Sequence, residues 1–255
     1  MAEVVTLPVP ARSDEELELK FSIDGPATVG AGFDEHYPTS EGWQTVRIVD
    51  RYFDTAGRDL SQAGYGARLR KAGGKTVLTI KSDIDVTDGR HRRLELEAPA
   101  TGKLDVNAWQ PSPARDRAAE VVGNQRLIEL FVVRQKRRER PISVGGAELM
   151  VSIDRGVVFA AGREVGALTQ LEVEYKRGRR APLASVARQI TEAGIGRPES
   201  RSKLAMAQDL AQAADAVAPD DALAEAGRKV LRRHLVRMLS REPRTRDGDE
   251  LETKQ

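Results

Sequence analysis

Glu16, Glu18 and Lys20 stand two residues apart in the stretch Glu16-Leu17-Glu18-Leu19-Lys20. On a β-strand that spacing puts both carboxylates and the ammonium on one face and the two leucines on the other. Carboxylate oxygens bind hard divalent cations, and ammonium and guanidinium groups match phosphate oxygens. The same alternation returns at Arg68/Arg70, Arg93/Glu95/Glu97, Arg134/Lys136/Arg138 and Glu172/Glu174/Lys176. Lys81, Asp154 and Lys203 add to the charged faces. Outward-facing salt-bridge ladders would use this pattern. So would a barrel whose outer side packs on helices and whose lumen is lined with charge. Charges of both signs in a dry core would be very costly unless paired, whereas water, a metal and a bound anion would accommodate them. Carboxylates repel phosphate directly but hold it through Mg²⁺ or Mn²⁺. The residue types therefore point to a metal–oligophosphate complex.

These side chains must be positioned by strands. The first is expected over about 15–23, followed by a weakly patterned stretch at 26–40 that ends in a loop near Pro38. Further strands are expected over 43–53, 64–72, 75–82, 91–98, 127–140, 148–160 and 165–177. Gly73-Gly74 is a strong hairpin signal between two of them. Residues 58–63 read as a short link and 103–125 as partly helical. Pro182 to Ala193 forms a short helix with Leu183, Val186, Ala187 and Ile190 as its apolar stripe. The fold class is α+β: about eight strands joined mostly as neighbours, enough to close a small barrel with a charged lumen and flanking helices.

The composition sets limits. Forty-one Lys and Arg against 39 Asp and Glu leave a net charge of +2, too balanced to argue for nucleic acid as a general partner. The absence of Cys excludes disulfides and thiolate metal sites and fits a reducing compartment. His36, His91 and His234 are too scattered for a histidine metal cluster, so a metal here is expected on carboxylates. No apolar run reaches membrane length, and Met1 to Asp14 lacks signal-peptide character, so the expected location is cytoplasmic without membrane contact.

Glu16-x-Glu18-x-Lys20 resembles the signature of the CYTH domain, also called the triphosphate tunnel metalloenzyme fold. Further matches follow in the family's order: Tyr52-Phe53-Asp54-Thr55, Arg68-x-Arg70, Thr79-x-Lys81, Arg93-x-Glu95-x-Glu97, a basic strand at Arg134 to Arg138, Asp154-Arg155-Gly156, Glu172-x-Glu174-x-Lys176 and Ser202-Lys203. The series spans about residues 15–205. It implies that the barrel is an eight-stranded antiparallel tunnel, open at both ends, that hydrolyses or rearranges triphosphates with a divalent metal.

On that reading the metal ligands are Glu16, Glu18, Glu95, Glu97, Asp154, Glu172 and Glu174, holding Mg²⁺ or Mn²⁺. Lys20, Arg68, Arg70, Lys81, Arg93, Arg134, Lys136, Arg138, Lys176 and Lys203 bind phosphoryl oxygens. Glu16, Glu18, Glu172, Glu174 and Lys20 carry catalysis. The expected enzyme is a divalent-metal-dependent triphosphatase acting on inorganic tripolyphosphate or polyphosphate. Two alternatives stay open: a polyphosphate-binding or sensing module with little catalysis, and hydrolysis or cyclisation of an organic triphosphate such as thiamine triphosphate or ATP. Aromatics make up only 4% of the chain, which favours a substrate without a base; Trp43 and Tyr65 are the exceptions.

The expected organisation is a loose tail over 1–14, the tunnel domain over 15–205, a helical extension over 206–240 broken at Pro219, and a charged, disordered tail over 241–255. Asp221 to Leu239 resembles the first helix of a CHAD domain, a helical partner associated with polyphosphate. Its apolar face, Leu223, Val230, Leu231, Leu235, Met238 and Leu239, is expected to rest on the barrel exterior or on a second copy, and a homodimer is possible.

Overall fold

The computed structural model describes residues 15–39, 41–216 and 221–246. The tail over 1–14, the break at Pro219 and positions 247–255 lie outside the described residues. In chain order the elements are β1 (Glu15–Ser22), α1 (Pro26–His36), β2 (Gln44–Thr55), α2 (Asp59–Gln62), β3 (Gly66–Ala72), β4 (Lys75–Thr87), β5 (Arg90–Pro99), a 3-10 turn (Val106–Ala108), α3 (Pro113–Val122), β6 (Leu127–Val144), β7 (Ala147–Ala160), β8 (Arg163–Gly178), α4 (Pro182–Glu192), β9 (Arg197–Pro198), α5 (Lys203–Asp215) and α6 (Leu223–Arg246). The sheet runs β5-β4-β3-β2-β6-β7-β8-β1-β9, and β5 also pairs with β1, which closes eight strands into a ring. Every pairing is antiparallel.

Helices coat the outer wall in two places. Leu17, Leu19, Phe21, Leu149, Val151, Leu171 and Val173 are buried under Val29 and Phe33 of α1 and Leu183, Val186 and Ile190 of α4. On the other side, Leu69, Leu78, Ile80 and Leu96 pack against Ala114, Ala118 and Val122 of α3 and against Trp109. A third cluster occupies the interior, where Leu204 and Ala207 of α5 meet Tyr52, Phe131, Val133, Val158 and Leu168. At this level the inside of the barrel is filled with apolar side chains rather than charge. No described helix is long and apolar enough to cross a membrane.

Most sequence expectations hold to within a few residues, and at two elements the structure goes further. The stretch at 26–40, weakly patterned in sequence, contains the helix α1. Val29, Phe33 and Tyr37 recur at a spacing of four and are buried, but Gly30 and Gly32 lie among them and lower the local helix propensity. Tertiary burial decides the outcome. The second element is α6. Of the two sites expected for its apolar face, the barrel exterior does not cover it: Leu223, Leu231 and Met238 are 90%, 60% and 66% exposed, and α6 is tied to β8 by an Arg163–Glu225 ion pair of 2.8 Å, which leaves a second copy as the expected site.

Turn chemistry fixes the strand register. Gly73 and Gly74 have φ of +54° and +79°, the left-handed pair that a two-residue hairpin loop needs. At the β4–β5 turn, Gly89 (φ +76°) accepts a 2.7 Å hydrogen bond from the Lys20 backbone N–H. A Cβ there would lie 2.8 Å from the Lys20 carbonyl oxygen. Gly89→Ala therefore combines backbone strain with a backbone clash and is expected to lower unfolding free energy by about 1–3 kcal/mol. Denaturant titration checks this, and an unchanged midpoint would mean that the turn is not pressed onto β1.

Candidate active site

Residues directly opposite each other in an antiparallel pair share a face, so the register defines the lumen. Glu18 faces Glu174 and Lys20 faces Glu172 across β1 and β8. Glu16 faces Arg93 across β1 and β5. Lys81 faces Glu95, and Thr79 faces Glu97. Arg68 and Arg70 on β3 face Tyr52 and Asp50 on β2. Arg137 faces Asp154 across β6 and β7. Together these strands enclose a cavity of about 450 Å³ lined by Glu16, Glu18, Lys20, Arg68, Arg70, Lys81, Arg93, Glu95, Glu97, Glu172, Glu174, Lys176 and Lys203, and also by Arg137.

The charges are paired. Lys20 Nζ lies 3.0 Å from Glu18 and 2.8 Å from Glu172. Burial alone would lower the Lys20 ammonium, but Glu172 and Glu18 outweigh it and hold it above its ordinary value. Burial likewise opposes the charge on Glu172, yet Lys20, Lys203 and Arg137 keep that carboxyl well below the usual range. Arg93 reaches Glu18 at 3.0 Å, and Lys81 bridges Glu16 (2.7 Å) and Glu95 (2.9 Å). Arg70 grips Asp50 with two 2.8 Å hydrogen bonds. Glu174 behaves differently: burial pushes its carboxyl up, Glu16 and Glu95 add like charge, and the Lys176 contact only partly opposes them.

The structure departs from the sequence reading on β6. Arg134, Lys136 and Arg138 lie on the outer wall, with the Arg134 guanidinium 4.7 Å from the Phe159 ring centroid and Arg138 5.0 Å from that of Trp43. The lumen positions belong to Gln135 and Arg137. The cause is a register shift between Tyr52 and Phe53, where the β2–β6 pairing passes from Phe131 to Glu129 and skips Leu130. Asp154 does face inward, but it is fully buried and committed to Arg137 through both oxygens (2.8 and 2.7 Å) and to Lys203 at 2.6 Å.

Sequence reasoning also passed over His91. Its Nε2–H donates to the Glu199 carbonyl (2.9 Å), so Nδ1 accepts from Arg93 Nη2 at 2.8 Å. The ring thus orients the guanidinium that holds Glu18. Arg137 could have been found from the second phase of the β6 alternation, Gln135-x-Arg137. Asp50 sits between Val49 and Arg51 and carried no such signal.

A model of the CYTH domain family matches residues 14–207. The chain belongs to the CYTH family. Among solved structures it is similar to HpAC1 of Hippeastrum, an adenylyl cyclase candidate described as having a dominant triphosphatase activity. The two are 19% identical with a TM-score of 0.59, over 76% of this chain and 95% of that one. An adenylate cyclase candidate from Bacillus halodurans is 14% identical with a TM-score of 0.49, over 75% of this chain and 97% of that one. At 19% identity the likeness to the Hippeastrum protein is one of fold. α6 lies beyond the CYTH match, and its resemblance to a CHAD domain gains no support from these comparisons.

Whether the CYTH barrel suits a divalent cation can be tested on its donors. Among the described residues no group of three or more His, Cys, Asp or Glu is drawn together as a ready-made site. Asp154 and Glu172 are saturated by Arg137, Lys20 and Lys203. Glu16, Glu18, Glu95 and Glu174 differ, because each is held through a single oxygen; burial pushes the Glu174 carboxyl up, and like charge on Glu16 and Glu95 adds to it. Hard oxygen donors carrying uncompensated like charge fit Mg²⁺ or Mn²⁺.

Two outcomes follow for the CYTH barrel. Asp154→Asn strips two buried cations of a shared carboxylate and should cost about 3 kcal/mol or more of unfolding free energy; a change within error would show that Glu172 alone suffices. Burial lowers the His91 imidazole from its ordinary 6.5, despite the Glu199 carbonyl. The unfolded chain then gains a proton that the folded chain refuses, so stability present above about pH 6.5 is lost as pH falls. Denaturant titrations at pH 7 and 5.5 should differ less in His91→Gln than in the parent protein.

Proposed function

We propose that the CYTH barrel hydrolyses inorganic tripolyphosphate in its lumen with Mg²⁺ or Mn²⁺. The observation that carries this reading is one cavity in which Lys20, Arg68, Arg70, Lys81, Arg93, Lys176 and Lys203 converge with Glu16, Glu18, Glu95, Glu97 and Glu174. The basic groups would bind the phosphoryl oxygens and stabilise charge that builds up in phosphoryl transfer. A divalent cation held by Glu16, Glu18 and Glu174 would neutralise phosphate oxygens and acidify a bound water. Glu172 and Asp154, tied to Lys20, Arg137 and Lys203, would orient those cations. No Ser, Cys or His nucleophile is required.

A second reading has an observation of its own. Tyr52, Tyr65 and Leu204 line one part of the same cavity, a surface on which the organic group of a nucleotide or of thiamine triphosphate could rest.

Glu18→Gln is expected to lower tripolyphosphate turnover by about 100-fold or more while leaving the circular dichroism spectrum unchanged; full turnover at saturating metal would sink the carboxylate assignment. Tripolyphosphate, ATP and thiamine triphosphate assayed side by side should show tripolyphosphate turned over fastest, and cyclic AMP formed from ATP would replace the hydrolase reading. Protons compete with metal at the pushed-up Glu174 carboxyl, so activity should fade on acidification at a higher pH than an ordinary carboxylate would cause. Glu174→Gln should shift the metal requirement and move that acid limb.

A further inference from the structure

The basic residues displaced from the lumen form a surface of their own. Arg47 on β2, Lys136 on β6 and Arg155 on β7 stand directly opposite one another, in one row across three hydrogen-bonded strands. Strands are spaced about 4.8 Å apart, so the row spans about 10 Å. Arg134, two residues along β6 on the same face, lies about 6.7 Å from Lys136. Arg47, Arg134, Lys136 and Arg155 are all exposed.

Like charges directly opposite across strands are destabilising, and this row places three of them together. Lumen cations such as Lys20 and Arg70 have a carboxylate within 3.0 Å. Among the described residues Arg47, Arg134, Lys136 and Arg155 make no ion pair with a carboxylate within 4.0 Å. The fold gains nothing visible from the row, and an anion spanning it would remove the repulsion. Both bordering rings are occupied: Phe159 by Arg134, and Trp43 by Arg138 and Arg140. Single-stranded nucleic acids are gripped by stacking bases on open aromatic faces, and this strip offers none. Guanidinium and ammonium groups in a row suit a flexible chain of phosphates without bases.

We propose that the outer face of β2, β6 and β7 is a docking track for long-chain inorganic polyphosphate, separate from the lumen. The proposal extends the phosphate chemistry read for the lumen to longer chains, but it rests on the outer surface and does not require hydrolysis. The test is binding of long-chain polyphosphate to the full chain in excess chelator, with tripolyphosphate added to fill the lumen. The parent protein should still bind, with an affinity that falls as salt rises. Arg47→Ser/Arg155→Ser should weaken binding by at least about tenfold and flatten the salt dependence, with thermal unfolding no lower than the parent's, because like-charge repulsion is relieved, and unchanged tripolyphosphate turnover in Mg²⁺. Equal binding by parent and double variant would overturn the proposal, as would polyuridylate or polyglutamate binding as tightly as polyphosphate. If neither protein hydrolyses tripolyphosphate, the lumen reading fails while the binding comparison still decides the track.

Discussion

Lys20 is 3% exposed and lies between Glu172 and Glu18, and none of the three could enter the barrel alone. An unpaired ion in such a site costs several kcal/mol, and its partners recover that only with good geometry. The requirement reaches well beyond the triad. Glu172 must also meet Lys203 and Arg137, so the strap after β9 has to deliver Lys203 into the lumen and β6 has to turn its odd-numbered side chains inward. Glu18 needs Arg93, which needs His91, whose ring is pinned to the Glu199 carbonyl on that same strap. Closure of the ring by β1 on β5 thus serves charge as much as hydrogen bonding.

This linkage explains what the sequence could show. Within Glu16–Lys20 of β1, Arg68–Arg70 of β3, Arg93–Glu97 of β5 and Glu172–Lys176 of β8, charge occupies one phase and Leu, Val or Tyr the other, so these inward sets were legible from alternation. On β6, Arg134 to Arg140 is polar in both phases, and the phase is set by a skipped residue at Leu130 that only the pairing with β2 reveals. Asp154 read as a ligand from its carboxylate and the family-like stretch Asp154-Arg155-Gly156. That it is sealed by Arg137 and Lys203 depends on two distant segments meeting. Helix α1 was hidden by its glycines, and its burial against β1 and β7 is a tertiary fact.

The interior is also divided in a way the charged alternation did not suggest. Leu204 and Ala207 follow Lys203 directly on α5 and pack on Tyr52, Phe131, Val133 and Leu168. The residue that brings an ammonium to Asp154 is therefore continuous with the apolar filling of the barrel. Ser202 caps the helix at that junction through the Ala205 backbone N–H, and Gly66 lies so close that a Cβ there would come within 2.6 Å of Leu204. Apolar packing fixes the helix, the helix fixes Lys203, and Lys203 helps keep Asp154 and Glu172 ionised.

Pairing in the lumen bears on how the proposed site would work. Lys81 is shared between Glu16 and Glu95. A phosphate oxygen drawn to Lys81 would take over an interaction those carboxylates now use, leaving two like charges beside Glu174, whose carboxyl is already pushed up. That arrangement is unfavourable unless a cation arrives with the anion or protons are taken up. Binding of anion and metal would then be thermodynamically linked, each strengthening the other by the same factor. Arg70 is under a different constraint, since both of its hydrogen bonds go to Asp50, which is fully buried and also accepts from Gln135. It can meet a phosphate only with the nitrogen left over, without giving up Asp50. The lumen thus combines cations that can exchange partners, at Lys81 and Lys176, with cations locked in place at Arg70, Arg137 and Lys203. The exchangeable ones lie next to the carboxylates best suited to a metal, which is where coupling between the two ligands would have to arise.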